Sequence, residues 1–189
     1  MERGSSTGLN AFCRPPAHRA TLNDMSELRL EELSAATIVA ANSLTLKPGQ
    51  EQYVAPVSHS IAEAYVNPAS AWPRVVLDDD EVVGFIMGNF DADNDQPELR
   101  SCIWRINVSA DAQGRGIGRF AVHALAAEAR HRGFDRLTVM YEPGEDGPES
   151  FFAHIGFKQV GETPYGEHLA ELTIAPSPDG ETEADLLGA

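Results

Sequence analysis

The stretch Gln113-Gly114-Arg115-Gly116-Ile117-Gly118 has the residue types of an anion cradle. Backbone N–H groups at a helix N-terminus have no intrahelical partner and point outwards. Together with the helix dipole they attract phosphate. Glycine removes the Cβ atoms that would hold a phosphate away, and it permits positive φ. Arg115 and Arg119 add charge around such an anion. Two common phosphate-binding turns do not fit. A dinucleotide fingerprint asks for a third glycine where Arg119 stands. It also asks for an acid at the end of the next strand, whereas Asp135 stands at its start. A Walker loop needs Gly-Lys-Ser/Thr, which the sequence lacks. The competing structural reading is a glycine-rich helix start that binds nothing.

The elements that must position this turn are legible around it. A strand ending Ile106-Asn107-Val108 leads into the turn Ser109 to Arg115. A helix follows from Gly116 to Arg132, with Ile117, Ala121, Leu125 and Ala129 recurring at i+4 and Gly133 suited to its C′ position. Elsewhere the pattern predicts strands over 28–30, 74–77, 82–90, 99–108, 136–141, 157–160 and 168–174. It predicts helices over 31–42, 58–66 and 149–155. The order β-α-α-β-β-β-α-β-α-β-β implies an α/β (mixed α+β) single domain: a central, mixed, mostly antiparallel sheet with helices on both faces. Residues 1–26, rich in Gly, Ser, Pro and Arg, are expected to be a disordered extension. Residues 175–189 are expected to be an acidic tail, leaving 27–174 as the folded part.

The chain of 189 residues carries a formal charge of −15. The first 26 residues hold three arginines against Glu2 and Asp24, and the tail holds four acids, so most of the acidity belongs to 27–174. That balance argues against nucleic acid as a partner and suits a small cationic molecule. No apolar run is long enough to span a membrane. Arginines interrupt the first residues, where a signal peptide would be apolar, so a cytoplasmic setting is expected. Cys13 and Cys102 make neither a disulfide framework nor a zinc site. Asp91-x-Asp93-x-Asp95 begins like a calcium loop. However, Gln96 replaces the needed glycine and Cys102 the twelfth-position ligand, so an exposed loop is expected. His123 and His131 share one helix without further ligands, so no metal is expected.

Gln113-x-x-Gly116-x-Gly118, with the strand before it and the Gly156-Phe157 pair after the 149–155 helix, resembles the acyl-CoA signature of the GNAT N-acetyltransferase superfamily. Finer segments resemble its spermine/spermidine (diamine) branch: Gln52-x-Val54-Ala55-Pro56, Ser60 to Tyr65, Val83 to Met87, Trp104-Arg105 and Gly166-Glu167. Antibiotic-modifying members share such segments. The resemblance implies acetyl-CoA as acyl donor, with Gln113, Gly114, Arg115, Gly116, Ile117, Gly118 and Arg119 around its pyrophosphate. Ile106 and Val108 would pair with the pantetheine arm as an added strand would, and the Val108 N–H would hold the oxyanion. Family members often use, as general acid, a tyrosine four residues before the glycine of the Gly-Phe pair. Phe152 stands there and has no hydroxyl. Tyr141, Tyr165 or water would then deliver the proton, or the chain binds acyl-CoA without turnover. Glu167 is the expected amine-binding carboxylate, and Glu63, Tyr65 and Trp104 are expected in the acceptor cleft. Strand alternation puts Trp104 on the opposite face from Arg105. The resemblance also allows a homodimer.

Overall fold

The computed structural model describes residues 27–174, so the expected N-terminal extension, the acidic tail and Cys13 lie outside the described residues. Seven strands form one sheet in the order β1-β2-β3-β4-β5-β7-β6. They are β1 Leu28–Glu32, β2 Ala71–Asp78, β3 Glu81–Phe90, β4 Ser101–Val108, β5 Arg136–Tyr141, β6 Lys158–Glu162 and β7 His168–Thr173. Every neighbouring pair is antiparallel except β4 and β5. The helices are α1 Ile38–Asn42, α2 Val57–Val66, α3 Ile117–His131 and α4 Glu149–Ile155. The expected element order and mixed, mostly antiparallel sheet are therefore observed.

Two apolar clusters lie on the two faces of the sheet. Ile117, Ala121, Leu125 and Ala129 of α3, the four periodic positions, are all buried with Ile86, Ile103, Leu137 and Phe152 of α4. On the other face Ala41 of α1 and Val57 of α2 pack with Val75, Phe85 and Met87. Close packing of this kind demands glycine at Gly88, where a Cβ would come within 2.5 Å of Leu125 Cδ1.

Two element boundaries differ from expectation by three residues or more, and smaller shifts occur elsewhere, as at β4, where a 3-10 turn Pro97–Leu99 takes the expected first residue. The helix expected over 31–42 shrinks to Ile38–Asn42, because β1 continues to Glu32 along β2 and Arg74 bonds the Glu32 carboxylate at 3.2 Å. Strand β2 begins at Ala71, three residues before the expected start, and contains Pro73. Its missing N–H is tolerated because Ser70 O already accepts from Phe90 N. By alternation Pro73 N therefore faces away from β3, beyond the last β1 pair at Glu32–Arg74.

Candidate active site

The parallel pair β4/β5 is registered only at Cys102–Thr138 and Ile103–Val139. Buried Thr138 anchors this short contact by donating its hydroxyl to Glu98 O (2.6 Å) and Ser101 O (3.1 Å). Beyond it the strands diverge and open a cleft of about 1130 Å³. On the β3 side, Ser109 N–H donates to Val83 O at 2.9 Å. Alternation along the ladder then turns the peptide groups of Ile106 and Val108 away from β3 and toward the gap. Both residues line the cleft, so the sheet presents there a strand edge that no other strand pairs, its Val108 carbonyl taken by a side chain.

The glycine turn closes one side of this gap. Gly114 and Gly116 have φ of +85° and +86°, and a Cβ at either would meet nothing within 4 Å. Their absent side chains thus leave open space in front of the N-terminus of α3. No acceptor among the described residues takes the N–H groups of 114–119, although Gly114, Gly116, Ile117, Gly118 and Arg119 border the cleft. Outward N–H donors, open space and a helix start together fit a pyrophosphate. Gly118 serves packing instead. A Cβ there would lie 2.8 Å from Phe151 Cε2, so its glycine lets the Phe151 ring lie against α3.

The two arginines separate. Arg119 is exposed at the cleft. Arg115, expected at the pyrophosphate, lies off the cleft lining and forms an ion pair with Asp78 at the end of β2. Gln113 is turned inward. Its Nε2 donates to Val108 O (3.1 Å) and to Gln50 Oε1 (2.7 Å), while Gln50 Nε2 donates back to Gln113 Oε1 (3.2 Å). The glutamine of the motif therefore laces the end of β4 to the 3-10 turn Gln50–Gln52, and its amide is occupied by protein partners.

Phe152 is 2% exposed and stacked on Tyr141, with ring centroids 5.5 Å apart and planes 21° from parallel. Tyr141 is 7% exposed and lines the same cleft, and its hydroxyl has no hydrogen-bond partner among the described residues. Burial, reinforced by the Glu149 carboxylate, pushes its phenol pKa up. A phenol kept protonated beside the gap is in the form a proton donor requires. Glu167 reaches the cleft from the β6–β7 turn, held by Thr163 Oγ1 at 3.2 Å.

Two expected acceptor residues and one alternative proton donor require correction. Tyr65 is 85% exposed, off the cleft lining, because it falls on the outer face of α2. Tyr165 is 91% exposed at the tip of the β6–β7 turn, outside the cleft, and is no proton donor for it. Glu63 also lies outside this cleft, where its carboxylate accepts Trp104 Nε1–H at 3.0 Å and Arg105 Nη2 at 3.4 Å. Trp104 does line the cleft, but so does Arg105. Simple alternation fails because β4 carries a bulge: Met87 faces Arg105 and Gly88 faces Ile103, leaving Trp104 as the extra residue. Sequence reasoning also missed Tyr53 and the carboxylates Glu51, Glu142, Glu145 and Asp146, all on the cleft. The sole signal for Glu142, Glu145 and Asp146 was the density of acids between β5 and α4, and Glu51 and Tyr53, at the 3-10 turn Gln50–Gln52, had none.

The acetyltransferase (GNAT) family matches residues 38–157, which span β2 to β5, both long helices and the glycine turn. The chain belongs to the GNAT acetyltransferase family. GNAT enzymes use acetyl-CoA as acyl donor, and the turn, the strand edge and the cleft described above fit that donor. Solved structures agree on the fold. The ribosomal-protein-S18-alanine N-acetyltransferase of Escherichia coli superimposes with a TM-score of 0.58 at 16% identity, covering 82% of this chain and 98% of that one. An aminoglycoside 6′-N-acetyltransferase complexed with coenzyme A gives 0.60 at 17%, covering 80% and 99%. A 5-NmdU N-acetyltransferase of Pseudomonas phage PaMx11 is 32% identical over 68 residues, 36% of this chain and 46% of that protein. The match thus spans about half the length of that relative. No helix among the described residues is long and apolar enough to cross a membrane, and no cluster of metal ligands is present among them.

Proposed function

We propose that this GNAT protein transfers acetyl from acetyl-CoA to a primary amine of a small cationic molecule, a polyamine or diamine first. The observation that carries the acceptor class is charge. Glu51, Glu142, Glu145, Asp146 and Glu167 share one cleft with the glycine turn, in a chain of net charge −15. Carboxylates around a cleft raise the local concentration of a cation and orient it.

The residues divide the work as follows. The N–H groups of 114–119 and the Arg119 guanidinium hold the pyrophosphate. The β4 edge at Ile106 and Val108 holds the pantetheine arm, which places the thioester carbonyl at the β4/β5 gap. An ammonium has a pKa near 10.4 and must lose a proton before it attacks. Glu167 holds the amine, and water at the rim takes that proton. The amine lone pair then forms a C–N bond at the carbonyl carbon, with the oxyanion facing the Val108 N–H, and the nitrogen, now cationic, gives up its second proton to water. As the C–S bond breaks, the Tyr141 hydroxyl protonates the departing thiolate and recovers its proton from solvent. Holding both partners at one gap supplies the orientational part of the acceleration.

A second reading, a non-catalytic acyl-CoA-binding module, draws on one observation: Phe152 is buried and has no hydroxyl. A third is an antibiotic N-acetyltransferase. A homodimer and a cytoplasmic setting belong to the same proposal. The test is acetyl-CoA with an amine panel (spermidine, 1,4-diaminobutane, an aminoglycoside, a peptide and 5-NmdU), following thiol release. Cys102 does not disturb that assay, since burial pushes its thiol up to about 12. Release with the polyamines supports the proposal. Release with the aminoglycoside alone favours the antibiotic reading, and tight donor binding without turnover of any amine favours the module.

A further inference from the structure

Arg105 is a cation on the wall of the cleft assigned above to a cationic amine. An uncompensated guanidinium there repels that amine. The bulge in β4 brings Trp104 and Arg105 to one carboxylate. Glu63 Oε1 takes Arg105 Nη2 at 3.4 Å, and Glu63 Oε2 takes the Trp104 indole N–H at 3.0 Å. His59 Nε2 lies 3.4 Å from Glu63 Oε1 as well. The Glu63 and Arg105 side chains are each about three-quarters buried, so solvent screens the pair only in part.

We propose that Glu63 is a specificity-determining residue that acts through Arg105: by cancelling the guanidinium charge at the cleft wall, it lets the acceptor side prefer amines that carry a second cationic group. The inference rests on the acceptor class proposed above. It also accounts for the placement of Glu63, which stands behind the wall and lines a separate cavity of about 130 Å³ on the far side of Trp104. Contact with the acceptor is left to the rim carboxylates.

Charge makes the test a ladder. The Glu63–Arg105 pair is neutral in the wild type, +1 in Glu63→Gln, −1 in Arg105→Met and neutral again in the double variant. The glutamine oxygen still accepts the Trp104 indole N–H, so the wall keeps its shape. Binding of 1,4-diaminobutane and of butylamine is measured by titration calorimetry at one pH with saturating coenzyme A, after a melting check on each variant. Glu63→Gln is expected to weaken diamine binding about fivefold, and Arg105→Met to tighten it by a similar factor. The double variant is expected to return to within about twofold of the wild type, because one unit of charge is restored. The monoamine shifts less than the diamine, and 0.5 M salt compresses the whole series. A double variant as weak as Glu63→Gln would overturn the inference, because Glu63 would then act through packing or direct contact. A wild type that binds the diamine while Glu63→Gln binds it equally well sinks this inference alone. A wild type that binds no diamine sinks it together with the acceptor class.

Discussion

Gly116→Ala separates cofactor binding from folding, and Gly133→Ala supplies its control. Both glycines have φ of +86°, and a Cβ at either meets nothing within 4 Å. Gly116 opens α3 at the cleft, while Gly133 closes the other end, where Phe134 N–H donates to Ala129 O at 3.0 Å. An L-residue in the left-handed region costs about 1–2 kcal/mol, so both variants carry the same strain. In a domain of this size that lowers Tm by roughly 2–4 °C per kcal/mol. The two variants diverge when the donor binds. In Gly116→Ala the added Cβ enters the space assigned to the pyrophosphate and prevents at least one hydrogen bond to a charged group, worth about 1.5–3 kcal/mol. That corresponds to a 10- to 100-fold rise, on the order of magnitude, in the coenzyme A Kd. Gly133→Ala leaves that Kd within about twofold, because its Cβ faces solvent some 20 Å away along a 15-residue helix. Differential scanning fluorimetry reads the shared strain and titration calorimetry with coenzyme A reads the difference. If both variants lose Tm alike and Gly116→Ala still binds coenzyme A as the wild type does, the turn is a structural helix start and the donor site lies elsewhere.

The arginines divide in the same experiment. Arg119→Ala raises the coenzyme A Kd by about threefold to tenfold in a salt-dependent way, since its guanidinium stands at the cleft. Arg115→Ala leaves that Kd within about twofold, since Asp78 holds Arg115 off the cleft; equal losses for the two would refute their separation. For proton delivery, Tyr141→Phe lowers kcat by roughly 10- to 100-fold with little change in the acetyl-CoA KM. In the wild type kcat loses no activity to phenol ionisation until pH exceeds 10, because burial raises the Tyr141 pKa above its ordinary value of 10.0. The stability linked to this group has the same sign. It is fully present below pH 10 and is lost as pH rises through the folded pKa, because the unfolded chain ionises first. A Tyr141→Phe enzyme with unchanged kcat would remove Tyr141 from the mechanism.

Local chemistry made much of this protein legible. The spacing 117–121–125–129 is one face of a helix whatever surrounds it, and all four residues are buried. Glycine at 114 and 116 is readable because only glycine makes positive φ cheap, and the structure shows that φ at both. The order of elements followed from the same local patterns, and with it the sheet class. Boundaries were less legible where pairing decides them. The β1 strand runs through residues that pattern as helix because β2 lies alongside, and Pro73 sits inside a strand because β1 ends beside it.

The placement of charges around the cleft depended on long-range geometry. Glu63 and Tyr65 are two positions apart on α2, yet one turns to the β4 wall and the other to solvent. Arg115 and Arg119 flank the same turn, yet a carboxylate 37 residues away decides which of them reaches the cleft. Trp104 and Arg105 share a cleft only because a bulge, set by register with β3, breaks the alternation of β4. The sequence by itself therefore determined the glycine turn at the start of α3, because a helix N-terminus and its glycines form from residues adjacent in the chain. Only the tertiary structure decided the placement of charges around the cleft, since which of them face a gap between two diverging strands depends on register, on bulges and on partners brought together from distant segments.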